Sequence, residues 1–348
     1  MTWNNTAQVN GFDIDVITLE NDFCRVVLTN LGARLLELHV PDRNGSLADV
    51  VLGRGTLDET AVDPNYMGST AGRYANRIRA GRFSLDGKVC EVTRNEGSNH
   101  LHGGKRGFDR QIWSTQHVDG NHVSFWRVSP DGEEGFPGTL TTQVTYRLEG
   151  RTLEIDIEAT TDRTTVANIV NHAYFNLAGH SSGSVLDHIM QLNSTYYVPV
   201  DEELLPTGEV RAVEGTPFDF RAPTPIGKNI EKVSHSGAGR ALTDAGAGYD
   251  HNWVLDGHGL REVASIIDPN SGRRLTLSTN QPGVQIYTGG YLQGVSAKAP
   301  AGRYSAFAGF TLETQTFPDA VNHSHFPAPV LRPDERYLNS IRLEFSTA

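Results

Sequence analysis

Alternation of apolar and acidic residues in one stretch constrains the fold of this chain more than any other feature. Leu153, Ile155 and Ile157 alternate with acidic residues at positions 154, 156 and 158. Successive side chains of a β-strand point to opposite faces, so this pattern is typical of a strand with one face buried and one in water. Helical periodicity is scarce along the rest of the chain, which indicates an all-β protein.

Turn signals separate the other strand-like runs. Asp86-Gly87 stands between two short runs and predicts a tight hairpin, because glycine accepts the positive φ of a type I′ turn. Gly150 separates two further runs, and the segment 268–272 is a turn that leads into a strand at 274–278. The chain therefore predicts many antiparallel strands joined by short turns.

One continuous domain, 1–348, is expected. The 36 glycines and 16 prolines are spread through the chain, with no low-complexity linker and no evident internal repeat. Length alone suggests two domains, but all-β folds often exceed that expectation as one unit. Composition and periodicity leave a sandwich and a barrel both open.

Composition argues against several classes of partner and site. The formal net charge is -11 and no cluster of Lys or Arg is present, which argues against nucleic acid as a ligand. Cys24 and Cys90 form no Cys-x-x-Cys pair, which argues against a disulfide framework or a thiolate zinc site and fits a reducing compartment. We find no secretory signal pattern and no stretch of roughly 20 apolar residues, so we expect a cytoplasmic protein without a membrane partner.

The residues that can carry chemistry concentrate in a few polar and aromatic segments. His172 lies in the segment 171–177 and Glu313 in the segment 311–315. Together they supply one group that titrates near neutral pH and one carboxylate, the minimum for taking a proton from a substrate and returning one. The segments 99–104 and 248–252 add polar groups of the kind that a sugar pocket needs.

Seven segments together resemble a known family. In chain order they are 72–78, 101–104 with 107–109, 129–135, 171–177, 249–252, 281–285 and 312–315. Read in this order, they resemble the aldose 1-epimerases, the galactose mutarotases. The resemblance implies a large antiparallel β-sandwich of extended, twisted sheets, the galactose mutarotase-like supersandwich, with the sugar in a cleft on one face. It also implies an isomerase that interconverts the anomers of free hexoses such as D-galactose and D-glucose.

The resemblance assigns the proton transfers to two residues. A pyranose ring opens when its C1 hydroxyl loses a proton and its ring oxygen gains one, and rotation about C1–C2 followed by reclosure gives the other anomer. By resemblance, Glu313 is the general base on the C1 hydroxyl and His172 is the general acid for the ring oxygen. Leu312 and Phe310 give Glu313 an apolar setting that would raise its pKa. No cofactor is required.

The remaining predicted site residues would hold the sugar. By resemblance, Asp250 accepts hydrogen bonds from sugar hydroxyls and His102 contacts the sugar near its ring oxygen. Further contacts are expected from Asn76, Arg77, Tyr174 and Gln285. Arg73 is left open, because strand alternation places it on the same face as position 77 but a bend would change that. Tyr174 and Trp113 offer flat apolar surfaces for the sugar, and each is equally a candidate core residue.

A metal site is not expected. His100 with His102, and His323 with His325, stand two residues apart and could share a strand face. Neither pair has an evident third ligand. The segment 129–135 holds several carboxylates among Gly and Pro, and we expect a surface loop there rather than the carboxylate pair of a glycosidase.

Two other classes of function remain as alternatives. A hexose-6-phosphate 1-epimerase needs clustered Arg or Lys for the phosphate, whereas the matched segments follow the free-sugar pattern. A non-catalytic carbohydrate-binding protein on the same fold would lack the acid–base pair. Because His172 and Glu313 are both present, the sequence favours an enzyme that acts on a small-molecule aldose, as a monomer or a homodimer.

Overall fold

The computed structural model of the chain describes residues 6–9, 11–235 and 248–348. Most of the regular structure in these residues is antiparallel β-sheet, as the alternation predicts. The helical elements in the same residues are short: the α-helix Leu57–Ala61 and the 3₁₀ segments Arg79–Gly81, Phe108–Arg110, Glu133–Gly135, Ile226–His235, Gly290–Leu292 and Ala320–Asn322. None of the helices in the described part of the chain has the length and apolar character needed to cross a membrane.

The largest sheet has nine strands, and its two edge strands do not pair with each other. From edge to edge, the strands are Ser114–Asp119, His122–Ser129, Leu140–Glu149, Thr152–Thr161, Tyr337–Thr347, Arg273–Thr279, Arg261–Ile267, Ile189–Leu192 and Thr224–Pro225. The hairpin predicted around Gly150 is confirmed, with Glu149 paired to Thr152. The alternation is also confirmed, because Leu153 and Ile155 are fully buried while the acidic residue between them is partly exposed.

Two five-stranded sheets accompany the large one. The first consists of Thr6–Val9, Phe12–Glu20, Arg25–Thr29, Arg34–Pro41 and Leu47–Asp49. The second consists of Arg211–Ala212, Tyr196–Val198, Asp250–Val254, Gly283–Tyr287 and Glu313–Gln315. The second sheet matters most for function, because two of its strands begin with predicted site residues, Asp250 and Glu313.

Short two-stranded ladders join these sheets. They are Arg77–Ile78 with His100–Leu101, Thr165–Val166 with Val330–Leu331, Val170–Asn171 with Thr70–Ala71, Tyr174–Phe175 with Phe310–Thr311, and Arg82–Leu85 with Lys88–Glu91. The last of these is the hairpin predicted from Asp86-Gly87, and both turn residues have the positive φ that the turn requires, 48° and 76°.

One hydrophobic core connects the three large sheets. Leu28 of the first five-stranded sheet, Val144 of the nine-stranded sheet and Trp253 of the second five-stranded sheet belong to the same cluster of fully buried side chains. Sheets that pack face to face through a shared apolar layer form a β-sandwich. The fold is therefore the antiparallel β-sandwich that the family resemblance implies, and the barrel is excluded because the largest sheet does not close.

Candidate active site

A cleft of about 300 Å³ gathers most of the residues singled out from the sequence. Both predicted proton-transfer residues and five of the six predicted sugar contacts line it, and Gln285 is the exception. The complete lining is Pro64, Asn65, Tyr66, Asn76, Arg77, Glu96, Leu101, His102, His172, Tyr174, Asp250, Tyr287, Tyr291 and Glu313.

Two short strands hold His172 at the cleft. It lies between Val170–Asn171 and Tyr174–Phe175, each of which pairs with a different part of the chain. Its backbone N–H donates to the carbonyl of Ser69 at 2.8 Å, and its carbonyl accepts from the N–H of Gly68 at 2.9 Å. The backbone on both sides of the imidazole is therefore fixed by pairing.

Glu313 faces His172 across the cleft. It is the first residue of the strand Glu313–Gln315 and pairs with Gln285. The hydroxyl of Thr311 donates to its Oε1 at 2.9 Å, and the same oxygen lies 3.5 Å from Nε2 of His172. The side chains of His172 and Glu313 are only 5% and 2% exposed. The two groups thus form a buried acid–base pair.

Burial moves the pKa values of this pair in opposite directions. Loss of water disfavours the charged form of each group. Burial, with a further contribution from the negative charge of Asp250, raises the pKa of Glu313 to about 8. Burial lowers the pKa of His172 to about 4. At neutral pH without a ligand, the pair therefore holds one proton on Glu313, and His172 is neutral.

A backbone hydrogen bond sets the tautomer of His102. The backbone N–H of Asn76 donates to Nδ1 of His102 at 3.1 Å, and the N–H of His102 donates back to the carbonyl of Asn76 at 3.1 Å. A ring nitrogen that accepts a hydrogen bond carries no proton, so the proton of neutral His102 is on Nε2. Burial lowers the pKa of His102 well below its usual range. His102 therefore presents a neutral N–H donor.

The acid–base centre also contains a set of groups that could be mistaken for a metal site. His102, His172 and Glu313 offer ligand atoms that all lie within 4.8 Å of one another. A metal-bound histidine normally donates its second ring N–H to an acceptor. Nδ1 of His102 instead meets the N–H donor of Asn76, so metal at Nε2 would place two protons against each other. The donor set therefore fits a metal ion poorly.

Gln285, outside the cleft lining, forms a hydrogen bond with Asp250. The Nε2 of Gln285 donates to Oδ1 of Asp250 at 2.7 Å. Burial raises the pKa of Asp250, while the positive charge of Arg77 and the hydrogen bond from Gln285 act against that rise. Gln285 lies outside the cleft lining, and its direct contact with a substrate stays a prediction. It orients the carboxylate that does face the cleft.

Arg77 enters the cleft, whereas Arg73 does not. The guanidinium of Arg73 donates to the carbonyls of Pro137 at 3.1 Å and Gly138 at 2.8 Å, outside the cleft. Strand alternation does not relate the two arginines, because residues 72–76 lie outside the strands Thr70–Ala71 and Arg77–Ile78 and the backbone turns at Asn76, whose φ is 59°. Arg73 therefore contacts the loop at 129–138 instead of the cleft.

Comparison with known proteins agrees with this arrangement. The family model described as aldose 1-epimerase matches residues 15–344. The chain belongs to the aldose 1-epimerase family. Galactose mutarotase from Bos taurus is 43% identical over 337 residues, which cover 96% of this chain and 95% of that protein. Aldose 1-epimerase from Escherichia coli is 34% identical over 346 residues, which cover 97% of this chain and 96% of that protein.

Solved structures of aldose 1-epimerase relatives have the same fold. An aldose epimerase homologue from C. elegans superposes with a TM-score of 0.87 at 31% identity, covering 96% of this chain and 99% of that one. Galactose 1-epimerase from Lactobacillus acidophilus gives a TM-score of 0.82 at 29% identity, covering 98% of this chain and 97% of that one. The match extends over the whole sandwich rather than over one sheet.

The aldose 1-epimerase cleft contains residues that the sequence did not indicate. The ring of Tyr66 lies 4.6 Å from that of His102 and 5.8 Å from that of His172, measured between centroids. Glu96, Tyr287 and Tyr291 also line the cleft. The only available signal was the nearness of Glu96 to the segment 99–104.

Two candidates from the sequence, Trp113 and His100, are buried outside the cleft. Trp113 is a core residue, and its Nε1 donates to the carbonyl of Phe108 at 3.1 Å. His100 is buried outside the cleft, with Nδ1 at 2.7 Å from the carbonyl of Thr93. Tyr174 does line the cleft, where its hydroxyl donates to the carbonyl of Asn65 at 3.1 Å.

The carboxylates of the segment 129–135 have structural partners. Glu133 pairs with Arg127 at 2.6 Å, and the Oε1 of Glu134 accepts from the backbone N–H of Arg106 at 2.9 Å. Neither lines the cleft. The glycosidase interpretation is therefore disfavoured by position as well as by sequence.

Proposed function

We propose that this member of the aldose 1-epimerase family interconverts the α and β anomers of free hexoses such as D-galactose and D-glucose. The single observation that carries the proposal is the buried pair of His172 and Glu313, with Nε2 and Oε1 3.5 Å apart, in a cleft of about 300 Å³. A cleft of that size accommodates one hexose. Its remaining polar groups suit the hydroxyls of a neutral sugar.

The reaction needs only the groups that the cleft supplies. Glu313 takes the proton of the C1 hydroxyl while His172 gives one to the ring oxygen, and the C1–O5 bond breaks. After rotation about C1–C2, the C5 hydroxyl attacks the aldehyde, returns its proton to His172, and the new C1 hydroxyl recovers the proton from Glu313. Both residues end as they began, so no redox group or external acid is consumed.

One proton must change place before this cycle can start. In the unliganded pair, burial puts the shared proton on Glu313 rather than on His172. A C1 hydroxyl that donates to the carboxylate stabilises its ionised form. The 3.5 Å separation of Oε1 and Nε2 is short enough for the proton to pass to the imidazole with little movement. Sugar binding and activation of the acid are thus coupled.

Other residues of the cleft would hold the sugar around this pair. His102 presents its Nε2–H as a neutral donor, suited to an oxygen on which negative charge develops. Asp250 accepts from hydroxyls, and Arg77 donates to them. Tyr174 offers a ring 5.2 Å from that of His172 and so can pack against the apolar face of the sugar.

The alternatives are less well supported. Among the described residues that line the cleft, Arg77 is the only Lys or Arg, and it is paired to Glu96. Glu96, Asp250 and Glu313 also line it, and their carboxyl groups would disfavour a sugar phosphate. A purely carbohydrate-binding protein has no need for a buried acid–base pair. We therefore favour free aldoses as substrates and catalysis as the function.

The core, the cysteines and the net charge support proposals about domain organisation, location and partners. We propose that residues 1–348 act as one domain, supported by the core shared between the three large sheets. A cytoplasmic location is supported by the free cysteines Cys24 and Cys90. Nucleic acid is disfavoured as a partner by the net charge of -11. Both a monomer and a homodimer are compatible with a cleft built by one chain.

Polarimetry tests the proposed function directly. Freshly dissolved α-D-galactose and α-D-glucose should reach their equilibrium rotation faster with the protein than without it, and no cofactor should be needed. Treatment with EDTA should leave the rate unchanged, since proton transfer by two side chains requires no metal. Activity that EDTA abolishes and a divalent ion restores would contradict the mechanism, and an unchanged rotation rate would contradict the function.

A further inference from the structure

Glu96 lines the cleft beside Arg77 and forms an ion pair with it. Nε of Arg77 donates to Oε2 of Glu96 at 2.6 Å, and Nη2 donates to Oε1 at 2.6 Å. Two parallel hydrogen bonds of this kind fix the plane of a guanidinium as well as its position. Glu96 therefore sets the direction in which the remaining N–H groups of the Arg77 guanidinium point.

Arg77 lines the proposed sugar cleft and has N–H donors that Glu96 does not use. Within residues 6–9, 11–235 and 248–348, Glu96 is the only acceptor that the guanidinium of Arg77 finds. Arg77 lines the same cleft as Asp250 and Glu313. Its remaining N–H groups are thus available to hydroxyls of a bound hexose.

The backbone on both sides of the pair is fixed. The N–H of Glu96 donates to the carbonyl of Asn99 at 3.1 Å, and the N–H of Asn99 donates to the carbonyl of Glu96 at 2.9 Å. The side chain of Asn99 accepts from the N–H of Ala80, three residues after Arg77, at 2.9 Å. Arg77 itself pairs with Leu101. The loop that carries Glu96 is therefore tied to the strand that carries Arg77.

Glu96 also balances charge next to the acid–base pair. Burial works to lower the pKa of Arg77, but the hydrogen bonds to Glu96 and the negative charge of Asp250 raise it overall. The positive charge of Arg77 works to lower the pKa of Glu313. The negative charge of Glu96 raises the pKa of Asp250, and by offsetting Arg77 it acts in the same direction on Glu313.

We propose that Glu96 is a positioning residue that aims the guanidinium of Arg77 at a hydroxyl of the bound sugar and offsets its charge beside His172 and Glu313. The proposal rests on the proposed function, because it deepens the account of how the same cleft holds its substrate. Glu96 acts through Arg77 and not on the reacting atoms. Its loss should therefore weaken sugar binding more than it slows the proton transfers.

Glu96→Gln tests the positioning role, with Glu209→Gln as the matched control. Glu209 forms the same two-bond contact with Arg211, at 2.7 and 2.6 Å, but on the surface and away from the cleft. We expect Glu96→Gln to raise the KM for galactose about tenfold and to change kcat by less than about twofold. Glu209→Gln should change neither. In an Arg77→Lys background, the effect of Glu96→Gln on the KM should largely disappear, since lysine has no planar guanidinium for Glu96 to align.

The pH profile of activity tests the charge effect of Glu96, because a purely structural role would leave that profile unchanged. Without the charge of Glu96, Arg77 stabilises ionised Glu313 more strongly, so the alkaline limb of kcat/KM should shift to lower pH in Glu96→Gln. Among the described residues, the titratable and charged groups that line the cleft around Glu313, apart from Glu96, are Asp250, Arg77, His172, His102, Tyr66, Tyr174, Tyr287 and Tyr291. None of them changes in this variant, so the shift reports the lost carboxylate.

Binding measurements separate this proposal from the proposed function. Calorimetric titration with galactose should show about tenfold weaker binding for Glu96→Gln than for the wild type and Glu209→Gln. A wild type that binds galactose without accelerating mutarotation would contradict the proposed function and leave this comparison intact. Equal galactose affinity and an unshifted pH profile in folded Glu96→Gln would overturn the positioning role. A wild type that does not bind galactose would overturn both.

Discussion

At the scale of single residues, burial governs the chemistry of the cleft. His102 and His172 are almost inaccessible to water, and burial lowers the pKa of both imidazoles. Burial acts oppositely on Glu313, whose pKa rises. The charged form is the disfavoured one in each case. Burial thus favours the neutral forms of His102, His172 and Glu313.

Substitution of the acid–base pair should separate catalysis from binding. Glu313→Gln keeps the shape of the side chain but cannot accept the C1 proton, and His172→Asn cannot protonate the ring oxygen. We expect kcat to fall by about 10²–10⁴-fold in each variant while galactose affinity changes little. Polarimetry and calorimetric titration measure the two quantities. Near-normal turnover in either variant would show that its residue has been assigned the wrong role.

The pH dependence of activity should follow the proton count of the same pair. Catalysis needs one proton on the pair, which is present between the pKa of His172, about 4, and that of Glu313, about 8. Below that window both groups are protonated and no base remains. Above it neither is protonated and no acid remains. We therefore expect kcat/KM to fall on both sides of a broad plateau, and activity that keeps rising above pH 9 would be inconsistent with this pair.

At the scale of elements, short two-stranded ladders build much of the site, beside the sheet strands that begin at Asp250 and Glu313. Arg77–Ile78, Val170–Asn171 and Tyr174–Phe175 have two residues each, and each pairs with a segment distant in sequence. Such pairing fixes the backbone while leaving the adjoining residues free to turn toward the cleft. His172 occupies one such position, between two of these ladders. Precision in this site therefore depends on contacts between distant segments.

Removal of Arg73 should test the stability of the loop that it supports. Arg73 donates to the carbonyls of Ser129, Pro137 and Gly138 from a buried position. Arg73→Ala leaves these acceptors without their donor, and we expect it to lower the free energy of unfolding by about 2–4 kcal/mol. Its effect on the KM for galactose should be smaller than that of Arg77→Ala, because Arg73 lies outside the cleft.

Arg163→Ala provides the control for that experiment. Arg163 pairs with Asp131 of the same loop, but both side chains are more than half exposed. An exposed ion pair contributes roughly 0–1 kcal/mol, so this variant should unfold almost as the wild type does. Thermal and urea unfolding measure both variants. Equal stability of the two would mean that the buried donors of Arg73 are not needed by the loop.

At the scale of the whole molecule, the sheets share a single apolar layer. Trp113, Ile155 and Trp253 come from different parts of the chain and belong to the same core cluster. Separation of any sheet from the others would expose part of that layer to water. The sheets should therefore lose their structure together.

Cooperative unfolding follows as a prediction for the intact chain. Scanning calorimetry should show one transition whose calorimetric and van't Hoff enthalpies agree, because one cluster of buried side chains includes residues of all three large sheets. Far-ultraviolet circular dichroism and tryptophan fluorescence should give the same midpoint. Two resolved transitions, or midpoints that differ between the probes, would instead indicate separate domains within residues 1–348.

The sequence by itself determined the features that depend on local order. Side-chain alternation at 153–158 specifies a half-buried strand, and Asp86-Gly87 specifies a tight hairpin, because each pattern acts through neighbouring residues. The predicted reactive groups are also recognised locally, because the segments that contain them match the pattern of the aldose 1-epimerase family. The sequence therefore predicts His172, Glu313 and Asp250 as site residues through the family resemblance.

Only the tertiary structure decided which side chains meet. Glu96 reaches Arg77, Gln285 lies behind Asp250, and Arg73 turns away from the cleft. The tautomer of His102 likewise depends on a backbone donor from a distant segment. Each of these outcomes is set by strand pairing between parts of the chain far apart in sequence, and by backbone turns such as that at Asn76. Local periodicity does not predict these side-chain contacts, because they form only when the sheets pack.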